Sequence, residues 1–134
     1  MKFEVLDHTA DLRLKIYGNS YKSIFENAIT AVASMIIGDT SNIVPETTIK
    51  ISIESNNYNN LLIKLINDFL FYFETDNIIY YMAQLDVKKT QLSGTLSGIK
   101  VDKSREYEYV IKAATYYGMV VSPEKGYAII VLDV

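Results

Sequence analysis

The sequence predicts an α+β fold: antiparallel or mixed sheets, two amphipathic helices packed on or between them, and a β-meander toward the C-terminus. Three observations predict it. Two segments carry apolar residues at helical spacing. The segments before and between them alternate apolar and polar residues with the period of a half-buried strand. From residue 77 onward no helical period returns, and strand-like runs joined by turn residues continue to the end. Strands massed after the helices favour α+β over a doubly wound parallel sheet.

A strand at 2–6 opens the chain. Leu12, Leu14 and Ile16 then alternate with Arg13, Lys15 and Tyr17 as a second strand. Gly18-Asn19-Ser20 turns the chain, with Asn19 or Ser20 placed to cap a helix. Tyr21, Ile24, Phe25, Ala28, Ile29, Val32, Met35 and Ile36 share one face of a helix over 20–37, which ends near Gly38. A polar loop from Asp39 to Pro45 leads to a strand with Ile49, Ile51 and Ile53 on one face. Asn56-Asn57-Tyr58-Asn59 is turn and cap material. After it, Leu61, Leu62, Leu65, Ile66, Phe69, Leu70 and Phe73 form a broad aromatic face, which predicts a helix deeper than the first. The segments 78–90, 91–101, 106–121 and 126–133 read as strands.

The 134 residues suit one domain spanning 1–134, and 49% apolar residues suffice for a core. The start lacks a signal-peptide pattern and no apolar run approaches the ~20 residues of a membrane span. The expected setting is therefore cytoplasmic, away from membranes. Cysteine is absent, which excludes disulfides, thiol chemistry and thiolate zinc sites. With His8 as the only histidine, any metal site must be built mainly of oxygen, so Mg²⁺, Ca²⁺ or Mn²⁺ is the expected class of ion. A formal net charge of −3 argues against direct RNA binding by the free chain. No Gly-rich phosphate loop surrounds Gly94 and Gly98, and no Ser-His pairing is evident.

Three segments hold the candidate chemistry. Asp7-His8-Thr9-Ala10-Asp11 places two acids and the histidine in a connection between strands, where binding groups tend to sit. Asp133 and Val134 close a strand that is apolar on both faces, the mark of a central strand. If Asp11 opens a strand lying antiparallel beside the last one, its carboxylate meets those of Asp133 and Val134, and their repulsion favours a divalent cation. Lys112, followed by Ala113 and Ala114, is placed to neutralise such a site or to anchor an anion. Each also has a plain structural reading: a self-bonded turn with a packed His8, a solvated strand end, a solvent-facing lysine.

Together these segments resemble the archease family. The likeness is carried by Asp7-His8-Thr9-Ala10-Asp11, by the Leu-rich helix running into Phe71-Tyr72-Phe73-Glu74, by Ile111-Lys112-Ala113-Ala114-Thr115-Tyr116, and by Leu132-Asp133-Val134. Their order and spacing fit across nearly the whole chain, although Tyr117 stands where many members have His. The resemblance implies an accessory protein of the RtcB-type RNA ligase of tRNA splicing. Such a protein promotes guanylylation and multiple turnover of the ligase and is not itself a catalyst. It also implies a divalent metal ion held by Asp11, Asp133 and a main-chain oxygen of Val134, with Asp7, His8 and Lys112 in supporting or partner-contacting places. Two rival readings stand beside it: a metal-dependent phosphoester hydrolase using Asp7, Asp11 and Asp133, and a chaperone-like module for RNA-modifying enzymes working through an apolar groove.

Overall fold

The computed structural model describes residues 1–7, 11–102, 104, 107 and 109–134, with the backbone alone at Asp7. The element order is β1 (Phe3–Asp7), β2 (Asp11–Tyr17), α1 (Tyr21–Ile37), β3 (Thr47–Glu54), α2 (Tyr58–Asp76), β4 (Ile78–Val87), β5 (Gln91–Lys100), β6 (Ala113–Ser122), a short 3-10 turn (Pro123–Lys125) and β7 (Tyr127–Asp133). One sheet has the order β1-β2-β7-β6, the other β3-β5-β4, and every pairing is antiparallel. The α+β class is thus as the sequence predicts.

The helices begin and end where local chemistry dictates. Ser20 closes a capping box: its hydroxyl accepts from the Ser23 N–H at 3.0 Å, and the Ser23 hydroxyl accepts from the Ser20 N–H at 3.1 Å. At Gly38 the chain turns at φ +88°, a conformation glycine adopts without a Cβ penalty. The Asn57 side chain accepts from the Asn60 N–H at 2.8 Å, and the left-handed Asn77 ends α2.

Both helices lie between the sheets. α1 packs on β4 and β2, and α2 packs on β6, β4 and β3. α1 also finishes the edge of β4. Its Glu26 carboxylate accepts from the Leu85 N–H at 2.8 Å, while Lys22 and Thr30 donate to the carbonyls of Leu85 and Tyr81, each at 2.8 Å. Asn67 of α2 does the same for β6, accepting from the Ala114 N–H at 3.0 Å. Exposed strand edges invite pairing with other chains, and these side chains close them.

Two expectations need correction. α2 is not the deeper helix. α1 buries Ile24, Phe25, Ala28, Ile29, Ala31, Val32, Ala33 and Ile36, its alanines letting the backbone approach the sheets, whereas α2 leaves Phe71 60% exposed. The C-terminal strands do not form one meander either. β4 and β5 join the three-stranded sheet, while β6 and β7 join the four-stranded one. The strand expected at 106–121 is observed as Ala113–Ser122. The division follows from β7, whose residues 128–132 are buried on both faces and which therefore takes a neighbour on each side, β2 and β6.

Candidate functional site

Antiparallel pairing of β2 with β7 runs in unbroken register from Tyr17↔Tyr127 to Asp11↔Asp133. The first residue of β2 and the last of β7 are therefore directly opposed at one end of the four-stranded sheet. Ala113 of β6 faces Asp133 from the other side. The Lys112 N–H donates to the Asp133 carbonyl oxygen at 2.8 Å. Asp11, Asp133 and the Lys112-Ala113 pair, one part of each segment singled out in the sequence, meet at this end.

Side chains alternate along a strand. Leu12, Leu14, Ile130 and Leu132 enter the core, fully or almost fully buried. Asp11, Arg13, Val131 and Asp133 accordingly share the opposite face. Among the described residues neither the Asp11 nor the Asp133 side chain has a hydrogen bond or an ion pair, and the ion pair found is the distant Lys22–Glu26. Like charges directly opposite on paired strands are destabilising. The fold thus holds two acidic side chains on opposed positions, and among the described residues neither is ion-paired to a cation.

The surroundings were not legible beforehand. Between Thr115↔Val131 and Val120↔Ile129, β6 advances five residues while β7 advances two. The extra length bends over Val131, which is only 2% exposed although it lies on the outer face. Gly118 stands at φ +74° there, and a Cβ on it would meet Val131 Cγ2 at 3.5 Å. A pocket of about 480 Å³ opens beside this bulge, lined by Asp11, Arg13, Tyr117, Gly118 and Val131. Arg13 could have been found from alternation alone, two residues beyond Asp11; the bulge that brings Tyr117 to the pocket has no short-range signal.

The other expected residues are placed as follows. Asp7 pairs by backbone with Arg13 across the β1–β2 ladder. His8 lies outside the described residues. Val134 follows Asp133 and is 39% exposed, and the Lys112 side chain is exposed. Among the described residues no three His, Cys, Asp or Glu side chains gather into one group. The described site is the Asp11–Asp133 pair, with the main chain of Val134 next to it. Its oxygens are hard donors and suit a hard divalent ion.

A perturbed carboxyl lies elsewhere. Burial raises the pKa of Asp68 on α2, partly offset by Lys64. A carboxyl whose pKa is raised by folding supports the folded state below its unfolded pKa, and that support is lost as pH rises through the folded pKa. Asp68→Asn is therefore expected to raise stability at neutral pH, with the gain vanishing in acid; urea melts at several pH values would show it. A gain that grows toward low pH would contradict this account.

No helix among the described residues is long and apolar enough to cross a membrane. The Archease protein family model matches residues 3–134. The archease of Thermoplasma acidophilum is 32% identical over 133 residues, covering 99% of this chain and 94% of that protein. The solution structure of protein 1598 of Methanobacterium thermoautotrophicum superposes with a TM-score of 0.75 at 25% identity, covering 99% of each chain. A crystal structure from Thermotoga maritima, described as an archease and possible chaperone, shares the fold at a TM-score of 0.62 and 21% identity, over 98% of this chain and 96% of that one. With the matched region running through both ends of the carboxylate register, the chain belongs to the archease family.

Proposed function

We propose that this protein is an accessory factor of an RtcB-type RNA ligase, promoting its guanylylation and repeated turnover in tRNA splicing in the cytoplasm. The observation that carries the reading is the direct register pairing of Asp11 with Asp133, both carboxylates free of protein partners among the described residues. Such a pair costs stability and is of use when a cation joins it.

Asp11 and Asp133, with a main-chain oxygen of Val134, would hold a divalent ion such as Ca²⁺, Mg²⁺ or Mn²⁺. When bound, that ion supplies positive charge against the phosphate oxygens of a nucleotide. The protein's own part is placement: two central strands in continuous register hold both carboxylates at the sheet end, where a partner can approach them. Arg13 and Lys112 flank the acids and offer positive groups to a nucleotide or to acidic side chains of the ligase. In this reading the chain performs no reaction of its own, and free RNA is not its ligand.

The test is ligation by the cognate ligase with RNA in excess, with and without the protein, and with Asp11→Ala beside it. Strong stimulation by the wild type that falls to the unassisted rate in the variant is the expected result. Equal stimulation by Asp11→Ala and Asp133→Ala would remove the carboxylates from the account.

A chaperone-like role is the second reading. Eleven large hydrophobic side chains are exposed among the described residues, and the Thermotoga protein is described as a possible chaperone. That role predicts several partners and indifference to chelators; absence of stimulation by folded wild type would bring it forward.

A further inference from the structure

We propose that the outer edge of β3 joins two copies of this chain about a two-fold axis, merging their three-stranded sheets into one continuous sheet. β3 is an edge strand, since its sheet runs β3-β5-β4. The Ser55 N–H donates to the Thr90 carbonyl at 3.0 Å, in step with the register Glu54↔Gln91. Hydrogen-bonded and non-bonded pairs alternate along an antiparallel ladder. The odd-numbered residues of β3 therefore turn their main-chain groups to β5, and the even-numbered ones turn theirs outward. Lys64 of α2 meets one of these from outside the ladder, donating to the Glu54 carbonyl at 2.8 Å. Among the described residues nothing bonds the outward N–H and C=O groups of Thr48, Lys50 and Ser52. The edges of β4 and β6, by contrast, are met by side chains of α1 and α2. An open edge is a template for another strand.

Two observations select a second copy of the chain as that strand. The first is charge. Thr48, Lys50, Ser52 and Glu54 share the solvent face of β3, all exposed. Across β5, Lys50 faces Thr95 and Glu54 faces Gln91, and neither is in an ion pair among the described residues. The two charges lie symmetrically about Ser52. An axis through Ser52 sets Lys50 of each copy directly opposite Glu54 of the other, whereas an axis through Lys50 would oppose two lysines, which is destabilising. The second observation is apolar. Ile49 and Ile51 point to the core yet stay half-buried, unlike Ile53 at 8% exposure. The same axis lays Ile53 of one copy opposite Ile51 of the other and covers the part the edge leaves in water. The bonding pattern agrees as well, because Lys50, Ser52 and Glu54 are all outward residues. The Glu54 carbonyl keeps a second lone pair beside Lys64. Asp11 and Asp133 belong to the other sheet, so this pairing leaves their strands unaltered.

Sedimentation equilibrium of the purified chain tests this, for wild type, Lys50→Glu, Glu54→Lys, an equal mixture of those two variants, and Ser52→Pro. The wild type is expected to pass from monomer to dimer between about 1 µM and about 1 mM. Each single charge variant places like charges opposite one another at both symmetric positions and is expected to dimerise about tenfold more weakly or less still. Mixed together they restore opposite charges at both positions, so the mixture is expected to recover dimers containing one chain of each. Ser52→Pro removes the N–H at the axis, which is not used by β5, and is expected to be monomeric. The charged positions are exposed, and melting curves check that every variant is folded. A wild type that stays monomeric at about 1 mM would overturn the proposal and leave the edge to a strand of a different protein. A dimer that ignores the charge variants and Ser52→Pro would place the interface elsewhere and overturn it equally. Weakened single variants whose mixture fails to recover would overturn the axis through Ser52. None of these outcomes depends on the accessory role, since no ligase is present.

Discussion

In the presence of a chelator, Asp11→Asn and Asp133→Asn are each expected to be slightly more stable than the wild type, by about 0.2–1 kcal/mol. The reason is the register: Asp11 and Asp133 face one another across β2 and β7, and asparagine keeps the shape while removing one charge. Adding a divalent ion should reverse the order. An ion that binds only the folded state stabilises it by about 2.7 kcal/mol at a hundredfold excess over its Kd. The wild type should gain this increment and the variants should lose most of it. Thermal melts with chelator, Mg²⁺, Ca²⁺ and Mn²⁺ make the comparison, independently of any ligase. A wild type whose melting temperature ignores all three ions would argue against a metal role for the pair. Variants that melt lower than wild type in chelator would show that the carboxylates are not in conflict.

Phe69→Ala is expected to cost about 3–5 kcal/mol, a large share of the ~5–15 kcal/mol that holds a typical domain folded. Phe69 is fully buried on the face of α2, which like α1 touches both sheets. Truncation there removes transfer energy and leaves a cavity between layers that cannot all close upon it. Phe71 lies two residues away, 60% exposed, and Phe71→Ala is expected to shift stability within about 0.5 kcal/mol. Urea unfolding of the pair reads both effects, the midpoint falling at unchanged slope for Phe69→Ala. A cost below about 1 kcal/mol at Phe69 would mean that α2 packs less tightly than its burial implies.

The contrast between these two phenylalanines also shows where sequence reasoning worked. Phe69 belongs to the helical stripe with Leu62, Leu65 and Ile66, and that period assigns it to the core without any knowledge of the neighbours. Helix starts were readable to within a residue or two, as Asn19 or Ser20 and as the run Asn56 to Asn59, since a cap is settled by atoms three residues apart; the structure selects Ser20 and Asn57. Relative depth was not. Ala28, Ala31 and Ala33 look unremarkable in a list of apolar residues, yet their smallness is what seats α1 closely against the sheets.

The candidate site divides along the same line. Asp7, Asp11, Lys112 and Asp133 were marked by residue type, by position at strand ends and by likeness to a family. The apolar run before Asp133 already implied a central strand. Whether Asp11 met Asp133, which sheet received each C-terminal strand and how the bulge carried Tyr117 over Val131 required the assembled molecule. Periodicity and capping are short-range properties, carried by residues within a turn or two of each other. Register between strands more than a hundred residues apart depends on how well the whole core closes, because a one-residue slip would turn every buried leucine of β2 to the outside. The chain therefore announces its helices, its strands and its acids, while the pairing that brings two of those acids together comes from packing spread over both sheets.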